Sequence, residues 1–451
     1  MDDRITARAR EIAKQEHARL IERTTGSARL FERAVRSLPM GVASSFQAAD
    51  PYPIYLERGQ GSRVWDVDGN GYTDFHNGFG TMAVGHAHPK VVEAIERAAR
   101  TGTHFAVSTE QTVAYAEELC RRFRLEQVRM VNSGTEATMD AIRIARAATG
   151  RDTIVKIAGS YHGHHDTVMF SVVSNADMMG GRDVAPDRPM SKGIPAEMAN
   201  RTLVVPFNDA QAFADLLEDR GTEIACLIME PVMMNIGIAL PQPGYLERVR
   251  ELCTAHGVVL IFDEVKSGAT IAEGGATERF GVQPDLACFA KAIGGGVPAG
   301  AFGGRADVMD VISHGAAQQG TFNGNPLAAA AGLAALTEVL TPEAYERFAV
   351  LGSRLAEGCR RAIEEHGIPA HAVDLGCKGC VSFRREPLRD YRDFLEAEAE
   401  LFDAAWAWAM NREVFMTPGD EEQWTLSAQH TEEDIDRYVD AFAGLCAALA
   451  A

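Results

Sequence analysis

Lys291 closes the apolar run Leu286 to Ala290 and is followed by Ala292, Ile293 and three glycines, Gly294 to Gly296. A lysine in that position either snorkels to the surface on its stem or, when desolvated, becomes a Schiff-base nucleophile and proton carrier. The triple glycine favours the second use, because backbone without Cβ atoms can approach a ligand closely. A second apolar run, Val258 to Phe262, leads directly into Asp263, Glu264 and Val265. Strand side chains alternate, so Asp263 and Val265 share a face. A carboxylate at the end of a buried strand is costly unless it meets a partner. A protonated aromatic nitrogen would be one such partner, with Val265 packed beneath its ring; a backbone amide or a cap on the next segment would be another.

Two further clusters follow apolar runs. After Val131 come Asn132, Ser133, Gly134, Thr135, Glu136 and Ala137. At a helix N-terminus, Ser133, Gly134 and Thr135 can offer N–H groups and hydroxyls to a phosphate. The same residues also read as a capping box, with Ser133 as cap and Glu136 at the third helical position. After Ile157 come Gly159, Ser160, Tyr161, His162, Gly163, His164, His165 and Asp166. Three histidines and an aspartate invite a metal, but no i, i+4 ligand pair on a helix is present, and no metal is expected. Tyr161, at a strand end, can lay its ring against a planar ligand.

These residues need a scaffold that gathers strand ends. Between about 89 and 330, helical stretches alternate with the apolar runs Val128–Val131, Ile154–Ile157, Leu203–Val205, Ile224–Met229, Val258–Phe262 and Leu286–Phe289. Runs that are apolar throughout predict a mainly parallel sheet between helices, an α/β domain whose ligands gather at the carboxyl ends of the strands. Before it, residues 5–36 predict a surface helix, and Tyr55 to Phe75 a small antiparallel meander with turns such as Asp68-Gly69-Asn70-Gly71. After it come helical, charged sequence, a strand-like piece at Val381 to Phe383 and a closing helix from Glu432. The expected division is 1–88 for the N-terminal helix and meander, 89–330 for the large domain, and 331–451 for a smaller α+β domain.

At 451 residues, two domains or one large domain with an appendage are the natural expectation. A net charge of −19 repels nucleic acid and anionic lipid, so neither is expected as a partner. No basic leader with an apolar core opens the chain, and the apolar stretch Leu327 to Leu340 is broken by Gly332, Thr337 and Glu338, so a cytoplasmic protein without a membrane span is expected. The eight cysteines are scattered and read as core residues; Cys377 and Cys380 form a C-x-x-C with no second pair to complete a metal site.

Taken in order, Asn132-Ser133-Gly134-Thr135-Glu136-Ala137, Tyr161-His162-Gly163, Glu230-Pro231-Val232, Asp263-Glu264-Val265, Pro284-Asp285-Leu286, Lys291 before the triple glycine, and Gly320-Thr321-Phe322-Asn323-Gly324-Asn325-Pro326 resemble the class III, or ω-, aminotransferases. Gly85-His86-Ala87-His88-Pro89 and Gly300-Ala301-Phe302-Gly303-Gly304-Arg305 extend the likeness towards glutamate-1-semialdehyde aminomutases and β-amino acid or ω-transaminases. The resemblance covers nearly the whole chain and implies a fold type I transferase dependent on pyridoxal 5'-phosphate. It implies that Lys291 carries the cofactor as a Schiff base and moves the substrate proton. Asp263 would keep the pyridine nitrogen protonated, and Tyr161 and Val265 would flank the ring. Ser133, Gly134 and Thr135 would hold the phosphate. His162, Glu230 and Asn208 match positions around the cofactor; for Glu230 and Asn208 a structural hydrogen bond is the alternative. Thr321 matches a residue that reaches the phosphate of a neighbouring subunit, which implies a homodimer.

The sequence departs from those relatives at the substrate clamps. Ala43-Ser44-Ser45-Phe46-Gln47 puts Gln47 at or near the place of a carboxylate-binding arginine, which removes a bidentate partner. Met416 to Trp424 also lacks an arginine and shows Asp420, Glu421 and Glu422 instead. Lys266 and Lys378 could substitute, but both read as solvated surface lysines. Phe46, Phe79 and Met82 suggest an apolar pocket rim or ordinary core packing. The expected activity is transfer of an amino group from an amine, ω- or β-amino acid to pyruvate or 2-oxoglutarate. The alternative is an intramolecular aminomutase or an epimerase on the same lysine. A nucleotide-dependent oxidoreductase would need a G-x-G-x-x-G turn where Asn132 to Ala137 stands, and a non-catalytic binder would not need Lys291.

Overall fold

The computed structural model describes residues 3–172, 189–419 and 423–451. The meander forms as expected: β1 (Leu56–Gln60), β2 (Arg63–Asp66) and β3 (Gly71–Asp74) pair antiparallel. Its free edge is closed by Val414–Phe415, which runs parallel to β3 from the far end of the chain. The expected single helix over 5–36 is two, Asp3–Arg23 and Thr25–Ala34. At the break the Thr24 hydroxyl donates to Leu20 O at 2.7 Å, and the second helix starts on the Asp68 carboxylate, which takes the Gly26 and Ser27 N–H groups. The first helix is more than a surface element, since Ala9, Ile12, Ala13 and Leu20 are buried.

The large sheet contains the six predicted strands: β4 (Gln127–Val131), β5 (Thr153–Ile157), β6 (Thr202–Val205), β7 (Ile224–Met229), β8 (Val259–Asp263) and β9 (Leu286–Ala290). A seventh, β10 (Gly300–Gly304), was not among them. The order is β4-β10-β9-β8-β7-β5-β6, and only β10 runs antiparallel to its neighbours. Both faces are covered: Leu260, Phe262 and Phe289 enter one core cluster, and Val259, Ile261 and Cys288 the other. That two-sided burial is why the strands read as continuous apolar runs. β10 is hidden in the sequence because Gly-Ala-Phe-Gly-Gly has little strand propensity. A Cβ at Gly303 would lie 2.2 Å from Gln127 O, and one at Gly304 2.0 Å from Asp285 O, so only glycine fits there.

Beyond this sheet, β11 (His371–Asp374), β12 (Lys378–Ser382), β13 (Val414–Phe415, already met on β3) and β14 (Trp424–Thr425) complete the strands, with β11, β12 and β14 forming a third sheet. The closing helix is Glu432–Ala450, capped by Thr431. Cys377 and Cys380 are both free thiols and pack into different core clusters, so the C-x-x-C serves packing. Among the described residues, no single helix is long and apolar enough to cross a membrane.

Candidate active site

The strand ends converge on a cavity of ≈ 320 Å³ lined by Gly134, Thr135, Tyr161, His162, Glu230, Asp263, Val265 and Lys291. Eight of the eleven residues singled out around the cofactor therefore line it. Ser133 and Thr321 are exposed and stand outside it. Asn208 is also elsewhere: its side-chain amide donates to Leu240 O and Arg389 O, and its carbonyl accepts the Gln242 N–H. Of the two readings for Asn208, the structural hydrogen bond is the one observed.

Lys291 follows β9 at φ +53°, a conformation that costs a non-glycine residue about 1–3 kcal/mol unless the surroundings hold it. The holding is visible downstream, where the Tyr115 hydroxyl donates to Ile293 O at 2.9 Å. The glycines after Lys291 have a different use from the one expected. A Cβ at Gly295 would stand 2.9 Å from Ala331 O and one at Gly296 2.8 Å from Met82 Sδ. They let the protein's own helix Pro326–Ala334 and Met82 approach, which fixes the turn bearing the lysine.

Asp263 ends β8 and is buried. Its Oδ1 accepts the Val265 N–H at 3.0 Å, and its Oδ2 lies 2.7 Å from His162 Nδ1. The backbone-amide reading is thus realised, and each oxygen keeps a further lone pair for a cation. Glu264 turns the other way and takes the Ala276 N–H at 2.7 Å and the Ser267 hydroxyl at 3.0 Å. His162 is buried with no hydrogen-bond partner for Nε2. His165 is partly buried, and desolvation pushes its pKa down to about 3, while His164 is exposed; the three do not gather as metal ligands.

Glu230 supports the tyrosine. Its Oε1 accepts the Tyr161 N–H at 3.0 Å and the Asn235 side-chain amide at 2.9 Å, and its Oε2 accepts the Met234 N–H at 2.7 Å. Burial raises the pKa of Glu230 above the usual carboxylate range. Burial, with the nearby Asp263 charge, pushes the Tyr161 phenol up to about 12, so it stays neutral. The Tyr161 ring meets Phe46 edge-on at 5.4 Å.

The helix Gly134–Thr149 points its N-terminus at the cavity. Ser133 Oγ caps it by accepting the Glu136 N–H, while the Glu136 carboxylate returns to the Asn132 N–H at 2.6 Å. The capping reading is therefore observed, displaced by one residue on the return bond. Close backbone approaches shape the end of the helix. A Cβ on Gly134 would lie 3.0 Å from Val265, and one on Gly163, at φ +95°, 2.6 Å from Thr135 Oγ1.

Sequence reasoning missed Lys156. It is fully buried in β5, and its ammonium donates to Ser160 O at 2.8 Å and Phe170 O at 2.6 Å, tying together the turn that carries Tyr161 and His162. Burial pushes its pKa down to about 7. A lysine inside Thr-Ile-Val-Lys-Ile was the available signal. The two lysines expected at the surface are also buried. Lys266 lines the cavity and donates to Met234 O at 2.9 Å, and Lys378 donates to the Thr425 hydroxyl at 2.7 Å, because each head group has a protein oxygen to meet. Gln47, Phe46 and Phe79 line the cavity as well, and among the described residues no arginine does. Asp420, Glu421 and Glu422 lie outside the described residues.

The donor set suits a planar cationic ring bearing an aldehyde and a phosphate. It offers an amine, a buried carboxylate, a flat phenol ring and a valine side chain on the same cavity, and the positive end of a 16-residue helix. The comparisons agree. Residues 45–381 match the family model described as Aminotransferase class-III. The chain is 41% identical to glutamate-1-semialdehyde 2,1-aminomutase 2 of Brevibacillus brevis, over 92% of this chain and 96% of that protein. An ω-transaminase from Sphaerobacter thermophilus superposes with a TM-score of 0.88 at 38% identity, covering 94% of this chain and 97% of its own. A transaminase with PLP bound superposes at 0.86 with 34% identity, covering 94% and 98%.

Proposed function

The chain belongs to the class-III aminotransferase family, of fold type I and dependent on pyridoxal 5'-phosphate, and from that premise we propose that it moves amino groups at the cavity around Lys291. The observation that carries this reading is the convergence of Lys291, Asp263, Tyr161 and the helix N-terminus at Gly134 and Thr135 on one cavity. The cofactor, when bound, supplies an electron sink for charge developing at the carbon that bears the amino group.

The protein's own groups do the rest. Lys291 would hold the cofactor through its amine, and the same amine would take and return the proton at the substrate carbon. Asp263, aligned by the Val265 N–H and by His162, would meet the cofactor's ring nitrogen with its carboxylate. Tyr161 and Val265 would hold the ring between them, and Glu230 fixes Tyr161 through its backbone. The N–H groups of Gly134 and Thr135, after Ser133, would receive the phosphate. Thr321 belongs to the neighbouring copy's phosphate site in a homodimer. That reading is supported by its exposure and by the exposed apolar side chains Phe105, Val107 and Phe322. Asn323, two residues on, hydrogen-bonds Asn132 at 2.9 Å and holds the loop beside the cradle. The eight free thiols support a cytoplasmic setting.

The make-up of the cavity favours transfer between two molecules, from an amine, ω- or β-amino acid to a keto acid such as pyruvate or 2-oxoglutarate. Gln47 lines it and no arginine does, so a bidentate carboxylate clamp is missing among the described residues. A second reading, the intramolecular aminomutase, has the stronger support from similarity, since the relative named above at 41% identity is a semialdehyde aminomutase. Dependence on a co-substrate separates them. Purified protein loaded with pyridoxal 5'-phosphate should convert a panel of amines and β-amino acids only when a keto acid is supplied. Turnover of glutamate-1-semialdehyde without any acceptor, at a rate exceeding every amine, would establish the mutase instead. Silence on both arms would sink amino transfer altogether.

A further inference from the structure

The peptide group between Ser160 and Tyr161 meets a buried cation at one end and a buried anion at the other. Its carbonyl oxygen accepts from the Lys156 ammonium at 2.8 Å, and its N–H donates to Glu230 Oε1 at 3.0 Å. Both side chains are buried, and they stand on paired parallel strands, Lys156 within β5 and Glu230 directly after β7. A peptide group is planar and dipolar, so holding its oxygen on a cation and its N–H on an anion fixes the plane and opposes each partial charge with its complement. The two side chains also act on each other, since burial lowers the Lys156 pKa to about 7 and the Glu230 carboxylate opposes that shift. Lys156 holds a second segment as well. The same ammonium donates to Phe170 O at 2.6 Å, and beside it the Gly159 N–H donates to Ser171 O at 2.8 Å. Val172, next in the chain, lines the cavity at Lys291, so two parts of the cavity wall are joined through one nitrogen.

From this geometry we infer that Lys156 and Glu230 work as one clamp, through the peptide between them, and that the clamp sets where the Tyr161 ring and the His162–Asp263 pair meet the cofactor. Lys156 is a positioning residue that acts from outside the cavity lining. His162 carries the setting onward, with Nδ1 2.7 Å from Asp263 Oδ2. The inference rests on the proposed seat of the cofactor at Lys291 and adds the group that fixes the turn flanking its ring.

A double-mutant cycle of Lys156→Met, Glu230→Gln and the two together tests the clamp. It is read by equilibrium dialysis of pyridoxal 5'-phosphate and by the circular dichroism of the bound cofactor's visible band, just below pH 7, where Lys156 holds its proton. Removing one member leaves the other buried without its counterpart, whereas removing both does not, so the losses should fail to multiply. Each single substitution should weaken affinity roughly tenfold and alter the dichroic band, and the double variant should bind roughly tenfold better than the product of the single losses. Lys156→Gln keeps N–H donors for a carbonyl and should recover part of the K156M loss. It takes the place of K156M in the cycle if the methionine variant does not fold. Losses that multiply overturn the clamp, as do variants that melt lower yet bind the cofactor with parental affinity and dichroism, which would leave Lys156 a purely structural residue. A parent protein that binds no pyridoxal 5'-phosphate overturns the cofactor's seat and the clamp with it.

Discussion

Replacing Glu230 by glutamine changes one oxygen to an NH₂ and tests whether this residue positions Tyr161. All three polar contacts of the carboxylate are with N–H donors: Tyr161 N and the Asn235 amide on Oε1, and Met234 N on Oε2. An amide has one acceptor, so in either orientation its NH₂ must face at least one of these donors. The buried environment admits no ready substitute. A buried donor left unsatisfied costs about 1–3 kcal/mol, and bonds to a charged acceptor exceed neutral ones by roughly 1 kcal/mol each. The total is about 3 kcal/mol, partly recovered because the neutral amide escapes the burial penalty that raises the Glu230 pKa. Glu230→Gln should therefore lower the melting temperature by several degrees and weaken cofactor binding on the order of tenfold. The measurements are calorimetry and a titration followed by quenching of protein fluorescence. Restoring balance by removing a donor, with Asn235→Ser in the E230Q background, should recover part of the loss. If E230Q binds cofactor and melts like the parent, the hydrogen bonds around Glu230 do not hold Tyr161 and the reasoning is wrong.

Lys156 titrates in the folded protein near 7, well below a free lysine, so between pH 7 and 10 the unfolded chain binds more protons and stability rises with pH. Lys156→Met should remove that gain, and the difference in melting temperature between the two proteins should shift in favour of the parent as pH rises from 7 to 10. Gly163→Ala places a Cβ against Thr135 at φ +95°, a strain of about 1–3 kcal/mol that should weaken cofactor affinity roughly 10- to 100-fold. Equilibrium dialysis reads it, and unchanged affinity would show that Thr135 takes no part in the cradle. Lys291→Ala should leave the fold intact by circular dichroism and reduce steady-state turnover by roughly 10³-fold or more, as befits a lost nucleophile and proton carrier. Multiple turnover by K291A would exclude Lys291 from the chemistry.

The positions of Lys291, Asp263 and Tyr161 were legible because buried parallel strands leave unbroken apolar runs, and the polar residues that follow each run sit at the carboxyl end of its strand. The same logic failed at β10, where glycines needed for contact with Gln127 O and Asp285 O erased the apolar signature. It failed again at Lys156, concealed inside a run read as hydrophobic. Lys266 and Lys378 were misjudged for a related reason. A lysine's burial depends on whether a carbonyl or hydroxyl awaits its ammonium, and Met234 O and Thr425 Oγ1 come from segments far along the chain.

The sequence alone therefore determined the α/β class and the strand ends that meet at the cavity, because these depend on residue type and local period. Tertiary structure decided the rest. It showed that the triple glycine serves the helix Pro326–Ala334 and Met82, and that Glu230 braces Tyr161. These are facts about which distant backbone atoms meet, and a one-dimensional pattern does not contain such distances.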